Sequence, residues 1–272
     1  MIADWLEGVD SRAVVHPDAR IAEGVTVGPF SIVGPNVEIG EGTWIGPQVV
    51  IDGHVTIGRE NKIYPYTVVG FPPQDLKYSG EPTEVRLGDR NVIREGSQVH
   101  RGTAGGLALT EIGNDCYLMA LSHVAHDCRI GDNVLFANAG TLAGHVEVGD
   151  YATIGAYSGV HQFCRVGEYA FIGGYSVVTR DALPYCLTVG NRALCYGVNR
   201  IGLRRHGFSR EAIGSLEQAT RMLFRQGARR QDALEEVDQA FDGVAEVDRL
   251  VEFMKTSKRG VIPIRLGQGA TA

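Results

Sequence analysis

Aliphatic residues recur at every sixth position from Val9 onward, at Val9, Val15, Ile21, Val27, Val33, Ile39, Ile45, Ile51, Ile57, Ile63 and Val69, often with glycine next. The phase resumes at Leu87, Ile93 and Val99, and again from Ile112 through Leu118, Val124, Leu142 and Val160 to Val178. A period of six fits neither the ~3.6-residue period of a helix nor simple strand alternation; it is the signature of a parallel β-helix built from hexapeptides. Each hexad is then one short strand and a turn. Three hexads close a triangular coil, so residues one coil apart stack at the ~4.8 Å strand spacing. The competing architecture, a sandwich of short strands, needs period-two alternation and a turn signal every ~8 to 12 residues.

Two interruptions mark loops. Val69 and Leu87 are one coil's length apart, so the spacing predicts that a whole coil leaves and re-enters in phase, as a loop over 71–86. The second, over 100–111, shifts the phase by one residue and contains His100-Arg101-Gly102-Thr103-Ala104-Gly105-Gly106. Protruding loops commonly carry binding residues. Beyond Val178 the period fails. Ser209-Arg210-Glu211 can start a helix, Leu216, Ala219, Met222 and Leu223 recur at helical spacing, and Val237, Phe241, Val244, Val247, Val251 and Phe253 suggest further amphipathic helices. The chain is therefore read as mainly β, with a β-helix over 1–190 and an α-helical domain over 191–272.

Glycine makes up 36 of 272 residues, nearly double the usual ~7%, and the β-helix explains the surplus if corners require the positive φ that glycine adopts freely. The net charge of −6 divides unevenly. Residues 1–199 carry 13 Lys and Arg against 22 Asp and Glu, whereas 200–272 carry 13 against 10. The acidic balance argues against nucleic acid as a partner. Five cysteines, never spaced C-x-x-C, indicate neither a disulfide framework nor a zinc knuckle and read as small buried thiols. The N-terminal run Met1-Ile2-Ala3-Asp4-Trp5-Leu6-Glu7 lacks the basic and apolar segments of a secretory signal, and no long apolar run follows. A cytoplasmic protein without stable membrane insertion is expected.

The hexads at Val124, Leu142 and Val160 stack His126, Gly144 and Gln162 in one column, flanked by His123, His145 and His161. Two chemistries use such a cluster. Zinc wants three neutral imidazoles around one point with an open fourth position, as in the γ-class carbonic anhydrases. Acyl transfer wants one imidazole as general base and donors aimed at the developing oxyanion. Gly144 offers a bare backbone N–H and Gln162 an amide, which favours the second. Asp127 is positioned to orient His126, although adjacent strand residues point to opposite faces.

The motifs His123-Val124-Ala125-His126-Asp127-Cys128, Leu142-Ala143-Gly144-His145, Val160-His161-Gln162-Phe163-Cys164, Gln74-Asp75-Leu76-Lys77-Tyr78-Ser79-Gly80-Glu81 and His100-Arg101-Gly102-Thr103, with Gly202-Leu203-Arg204-Arg205 and Ser257-Lys258-Arg259-Gly260, stand almost along the whole chain. Together they resemble the acyl-carrier-protein:UDP-N-acetylglucosamine O-acyltransferases that begin lipid A synthesis, within the hexapeptide-repeat acyltransferases. The resemblance implies a left-handed coil, a homotrimer with active sites between subunits, and a (3R)-3-hydroxyacyl chain carried on the phosphopantetheine of acyl carrier protein as donor. It implies no other cofactor and no metal. His126 resembles the base that takes the proton from the glucosamine 3-hydroxyl, and the Gly144 N–H resembles the oxyanion donor. Asp75, Lys77, His123, His145, His161 and Gln162 resemble substrate-binding residues, Asn199 and Arg205 contacts to the UDP end, and Gly174 the residue that limits acyl length, open here to a longer chain. Three positions depart from some members: Ile201 replaces a glutamate, and Leu121-Ser122 replaces Asn-Ala ahead of the first histidine, beside the expected base. An amine acceptor on a UDP-3-amino sugar remains the alternative, as does zinc-dependent hydration.

Overall fold

A computed structural model describes residues 7–225, 227 and 229–265; segment 1–6, most of the N-terminal run read for a secretory signal, and the tail 266–272 lie outside the described residues. Very short strands, many of two residues, wind into three sheets of nine, eight and ten strands, here called the first, second and third faces in the order the chain meets them. Down the first face, Val15, Val33, Ile51, Val69, Val99, Val124, Leu142, Val160 and Val178 stand in register. Each hexad turns one aliphatic side chain into the prism. There Ile51, Leu142 and Ile154 are fully buried, each worth ~1.5–3 kcal/mol of transfer free energy. All five cysteines are buried, and burial pushes the Cys116 and Cys128 thiols up to about 12.

The first interruption differs from its expected form. Leu87 pairs directly with Ile57 on the second face, so no coil is missing. The chain leaves the first face after Phe71 and rejoins the second at Glu84. The second interruption leaves the first face after His100 and rejoins the second at Leu109. Both loops therefore emerge from the same corner of the prism, one coil apart.

The glycine surplus also has a different cause. Left-handed corner positions are largely filled by other residues, among them Phe30, Tyr66, Leu121, Asp127, His145, Tyr157, Phe163 and Tyr175. The hexad glycines instead follow the inward aliphatic residue, where successive coils touch. A Cβ on Gly40, Gly88 or Gly113 would sit 2.6 to 2.7 Å from the backbone of Gly58, Gly113 or Gly131 in the next coil. Close approach, not backbone freedom, excludes a side chain there.

An antiparallel hairpin, Cys186–Val189 with Leu194–Val198, continues the third face across 190. Four helices follow: α1 (Arg200–Arg205), α2 (Arg210–Leu223), α3 (Arg230–Ala240) and α4 (Ala245–Lys255). Ser209 caps α2 by accepting from the Ala212 N–H at 3.0 Å, and Ile213, Leu216, Ala219 and Leu223 form its buried stripe. His206 packs edge-on against Tyr151 and Tyr169, fastening the end of α1 to the corner between the second and third faces. Among the described residues no helix is long and apolar enough to cross a membrane.

Candidate active site

The chain concentrates polar chemistry at the corner between the first and second faces. His126 follows the strand His123–Val124 by two residues, and Asp127 occupies the left-handed corner itself, with φ of 60°. The alternation argument that set Asp127 apart from His126 holds only inside a strand. At the corner the chain turns, and the His126 Nδ1 lies 2.7 Å from Asp127 Oδ2.

Asp127 is 1% exposed, and its carboxylate collects donors from the 100–111 loop. The Thr103 hydroxyl donates at 2.6 Å, the Thr103 N–H at 3.1 Å and the Leu107 N–H at 2.8 Å. Gly106 permits this closure, since a Cβ there would stand 2.5 Å from the carboxyl carbon. The Thr110 hydroxyl accepts from the Asp127 N–H. Burial alone would raise the carboxyl pKa, but the Thr103 hydroxyl, the His126 ring and the two N–H groups together hold it below the usual range. An ionised carboxylate only accepts, so His126 presents Nδ1–H to it and keeps its lone pair on Nε2.

Gly144 lies under that ring. A Cβ on it would sit 2.6 Å from His126 Nε2 and 3.0 Å from Nδ1. Its φ is outside the left-handed region, so glycine is needed for the close approach. Among the described residues nothing accepts from its N–H. Pro17 and Pro35 occupy the same place in earlier coils, which shows that the sheet does not use a donor there.

His145 stacks on Phe163 at 4.5 Å and meets His126 edge-on at 5.0 Å. Burial lowers its pKa, opposed by the charges of Asp127 and, on the 71–86 loop, Asp75. Lys77 is exposed on that loop, its N–H donating to Asp75 Oδ1 at 3.0 Å. His123, on the first face, bonds Gln98 Oε1 through Nδ1 at 3.2 Å, and burial lowers its pKa. His161 and Gln162 are exposed beside Phe163. A cleft of about 410 Å³ runs from Asp127 and His145 past Phe163 to Lys258 and Arg259. A larger one, about 610 Å³, lies between the second face and α4, away from His126.

One protomer does not unite all the expected residues. Gly174 is exposed at the corner between the third and first faces, and Arg205 is exposed at the end of α1, by the remaining corner. Asn199 caps α1, accepting from the Gly202 N–H at 3.1 Å. Leu121 and Ser122 are not beside the base: Leu121 projects from the Gly174 corner, and Ser122 turns inward to bond the Met119 carbonyl. Sequence reasoning missed Thr103, Leu107, Thr110 and Phe163. The phase-shifting insertion with its Gly105-Gly106 pair was the available signal for the first three.

The donor atoms of His126, Asp127 and His145 lie within 4.8 Å of one another, near enough for a cation. The Asp127 oxygens, however, already accept from Thr103, Leu107 and His126, which commits the carboxylate to the protein rather than to a metal.

The network sets a pH dependence of stability. Asp127 titrates lower when folded than when unfolded, so its contribution is complete above the unfolded value of ~3.9 and is lost as pH falls through the folded one. His123 and His145 also titrate lower when folded, so the unfolded chain takes up protons first below pH ~6.5 and stability declines there too. Thr103→Val removes a charge-assisted hydrogen bond worth ~2 kcal/mol. The variant is expected to melt lower at neutral pH and to lose less on acidification below pH ~4, as thermal scans against pH will show.

The family described as bacterial transferase hexapeptide (six repeats) matches residues 36–71, 109–144 and 145–180, and that described as UDP-N-acetylglucosamine O-acyltransferase, domain 2, matches 181–262. The chain is 52% identical over 254 residues to the acyl-[acyl-carrier-protein]–UDP-N-acetylglucosamine O-acyltransferase of Alkalilimnicola ehrlichii, and 51% identical to that of Halorhodospira halophila, covering 93% of this chain and 98% of each relative. Among solved structures, the UDP-N-acetylglucosamine acyltransferase of Francisella novicida superposes with a TM-score of 0.92 at 36% identity, covering 95% of both chains. The UDP-N-acetylglucosamine O-acyltransferase of Moraxella catarrhalis superposes at 0.91 and 40% identity, covering 93% of this chain and 99% of that one. The coil is accordingly a left-handed β-helix with a C-terminal helical domain.

Proposed function

Because this chain belongs to the acyl-carrier-protein:UDP-N-acetylglucosamine O-acyltransferase family, and so transfers an acyl chain from acyl carrier protein to UDP-N-acetylglucosamine in the first step of lipid A synthesis, we propose that His126 is the general base of that transfer. The observation that carries this is the pairing of His126 Nδ1 with the buried Asp127, which leaves Nε2 basic. Nε2 takes the proton from the glucosamine 3-hydroxyl as the oxygen attacks the thioester carbonyl of a (3R)-3-hydroxyacyl chain. The free Gly144 N–H stabilises the oxyanion as it develops. Collapse of the tetrahedral intermediate expels the phosphopantetheine thiolate, which recovers the proton from His126.

Asp75, Lys77, His123, His145, His161 and Gln162 hold the sugar, the acyl hydroxyl and the nucleotide around that pair. Asn199 and Arg205 reach the UDP end from a neighbouring protomer in a homotrimer. Two observations support the trimer: Gly174, Arg205 and His126 stand at three different corners of one prism, and the Gly174 corner exposes Phe30, Tyr66, Leu121, Tyr157 and Tyr175, an apolar edge of the kind that a partner covers. The net positive helical domain suits an acidic carrier protein and a diphosphate. The cytoplasm is its expected place. The relatives are named O-acyltransferases, which favours the hydroxyl over an amine acceptor.

Gly174 carries no side chain on the exposed corner beside the stacked Tyr157 and Tyr175, and a long acyl chain fits that reading. The test is a ladder of 3-hydroxyacyl carrier proteins offered with UDP-N-acetylglucosamine and with its 3-amino analogue. Transfer to the hydroxyl is expected to be fastest with the longer chains, and Gly174→Met to move the optimum to a shorter one. Preference for the amine, or an optimum unmoved by methionine, contradicts the acceptor or the length assignment respectively.

A further inference from the structure

The loop that carries Asp75 and Lys77 has little core of its own: Gln74, Leu76, Lys77, Ser79 and Gly80 are all exposed. Its root is held from the next coil. Phe71 pairs with His100, the Arg101 N–H donates to the Phe71 carbonyl at 3.2 Å, and the Arg101 guanidinium lies 5.5 Å from the Tyr78 ring centre. His100 is 7% exposed, and its Nδ1 stands 2.8 Å from the Pro72 carbonyl oxygen. A carbonyl only accepts, so Nδ1 carries the proton. Nε2 is then a buried acceptor, and nothing among the described residues donates to it. A fold rarely leaves such an atom unpaired unless the rest of the side chain has another task.

We infer that His100 is a positioning residue of the transfer: its Nδ1–H bond to the Pro72 carbonyl sets the root of the 71–86 loop, and so fixes where that loop presents Asp75 and Lys77. The inference rests on the substrate roles given to Asp75 and Lys77. It explains why a histidine whose ring centre is 5.2 Å from that of His123 sits one coil below the catalytic corner without touching His126 or Asp127.

The two amides that mimic histidine separate this role from plain packing. The nitrogen of asparagine reproduces Nδ1, and that of glutamine reproduces Nε2. His100→Asn is expected to keep KM for UDP-N-acetylglucosamine within ~3-fold of the parent, whereas His100→Gln raises it ~10-fold or more with kcat within ~3-fold, the scale of one buried hydrogen bond lost. Amide hydrogen exchange over 74–80 should quicken in the glutamine variant alone. A glutamine variant with an unloosened loop, or a loop loosened equally in both variants, overturns the positioning role by itself. A loosened loop with unchanged KM overturns it together with the substrate roles of Asp75 and Lys77.

Discussion

Replacing His126 with alanine lowers kcat for acyl transfer by ~10²- to 10⁴-fold, the range that positioned acid–base groups contribute, and leaves the protein folded. The loss should be large because no second base stands ready among the described residues. His145 sits edge-on to His126, with Nε2 3.8 Å from Asp127 Oδ2. It lacks the short carboxylate bond that orients His126. The fold should survive because Asp127, the buried charge that the substitution deprives of one partner, keeps the Thr103 hydroxyl and the N–H groups of Thr103 and Leu107. Steady-state assays with acyl carrier protein as donor, beside melting curves of parent and variant, provide the measurement. Turnover within ten-fold of the parent would sink the base assignment.

Gly144→Ala tests the other half of the arrangement. An alanine Cβ would overlap the imidazole, 2.6 Å from Nε2, well inside contact distance, and the backbone behind it is packed into the coil. The ring must yield. A displacement of ~1 Å at a reacting group is enough to cost ~10²-fold in rate, so kcat should fall by about that much while KM for the sugar nucleotide changes little. Alanine retains the N–H and the φ of Gly144 lies outside the left-handed region, so neither the proposed oxyanion donor nor the fold is directly altered. The two substitutions share one target, the placement of a single imidazole, and their effects should therefore combine to less than their product. A Gly144→Ala enzyme with parental kcat would mean that His126 does its work from another rotamer.

These expectations depend on features that were unequally legible in the amino-acid order. Val124, Leu142 and Val160 fall six-fold in phase, and a coil of fixed repeat converts that count directly into a column of His126, Gly144 and Gln162. Counting also located the helical domain, where Ser209 and the Leu216, Ala219 and Leu223 stripe behave as local rules require. Counting failed where the repeat was broken. The 71–86 insertion looked like a missing coil because eighteen residues separate Val69 from Leu87, yet the ladder from Ile57 to Leu87 is unbroken. The chain merely takes a longer path around one corner.

What the sequence determined by itself is the repetitive part: the hexad coil, its inward aliphatic residues and the stacking of histidine and glycine columns, because each follows from a one-dimensional period. The tertiary structure decided the site. It turned Asp127 toward His126 through a left-handed corner, brought Thr103 and Leu107 onto Asp127 from an irregular loop, and set His126, Gly174 and Arg205 at separate corners of one prism. It also reassigned the glycines, from supposed corner formers to points of contact between coils. The physical reason is common to all of these. A period specifies which residues share a face, whereas side-chain direction at a turn depends on φ, and contact between a loop and a coil depends on a path in space that no local pattern encodes.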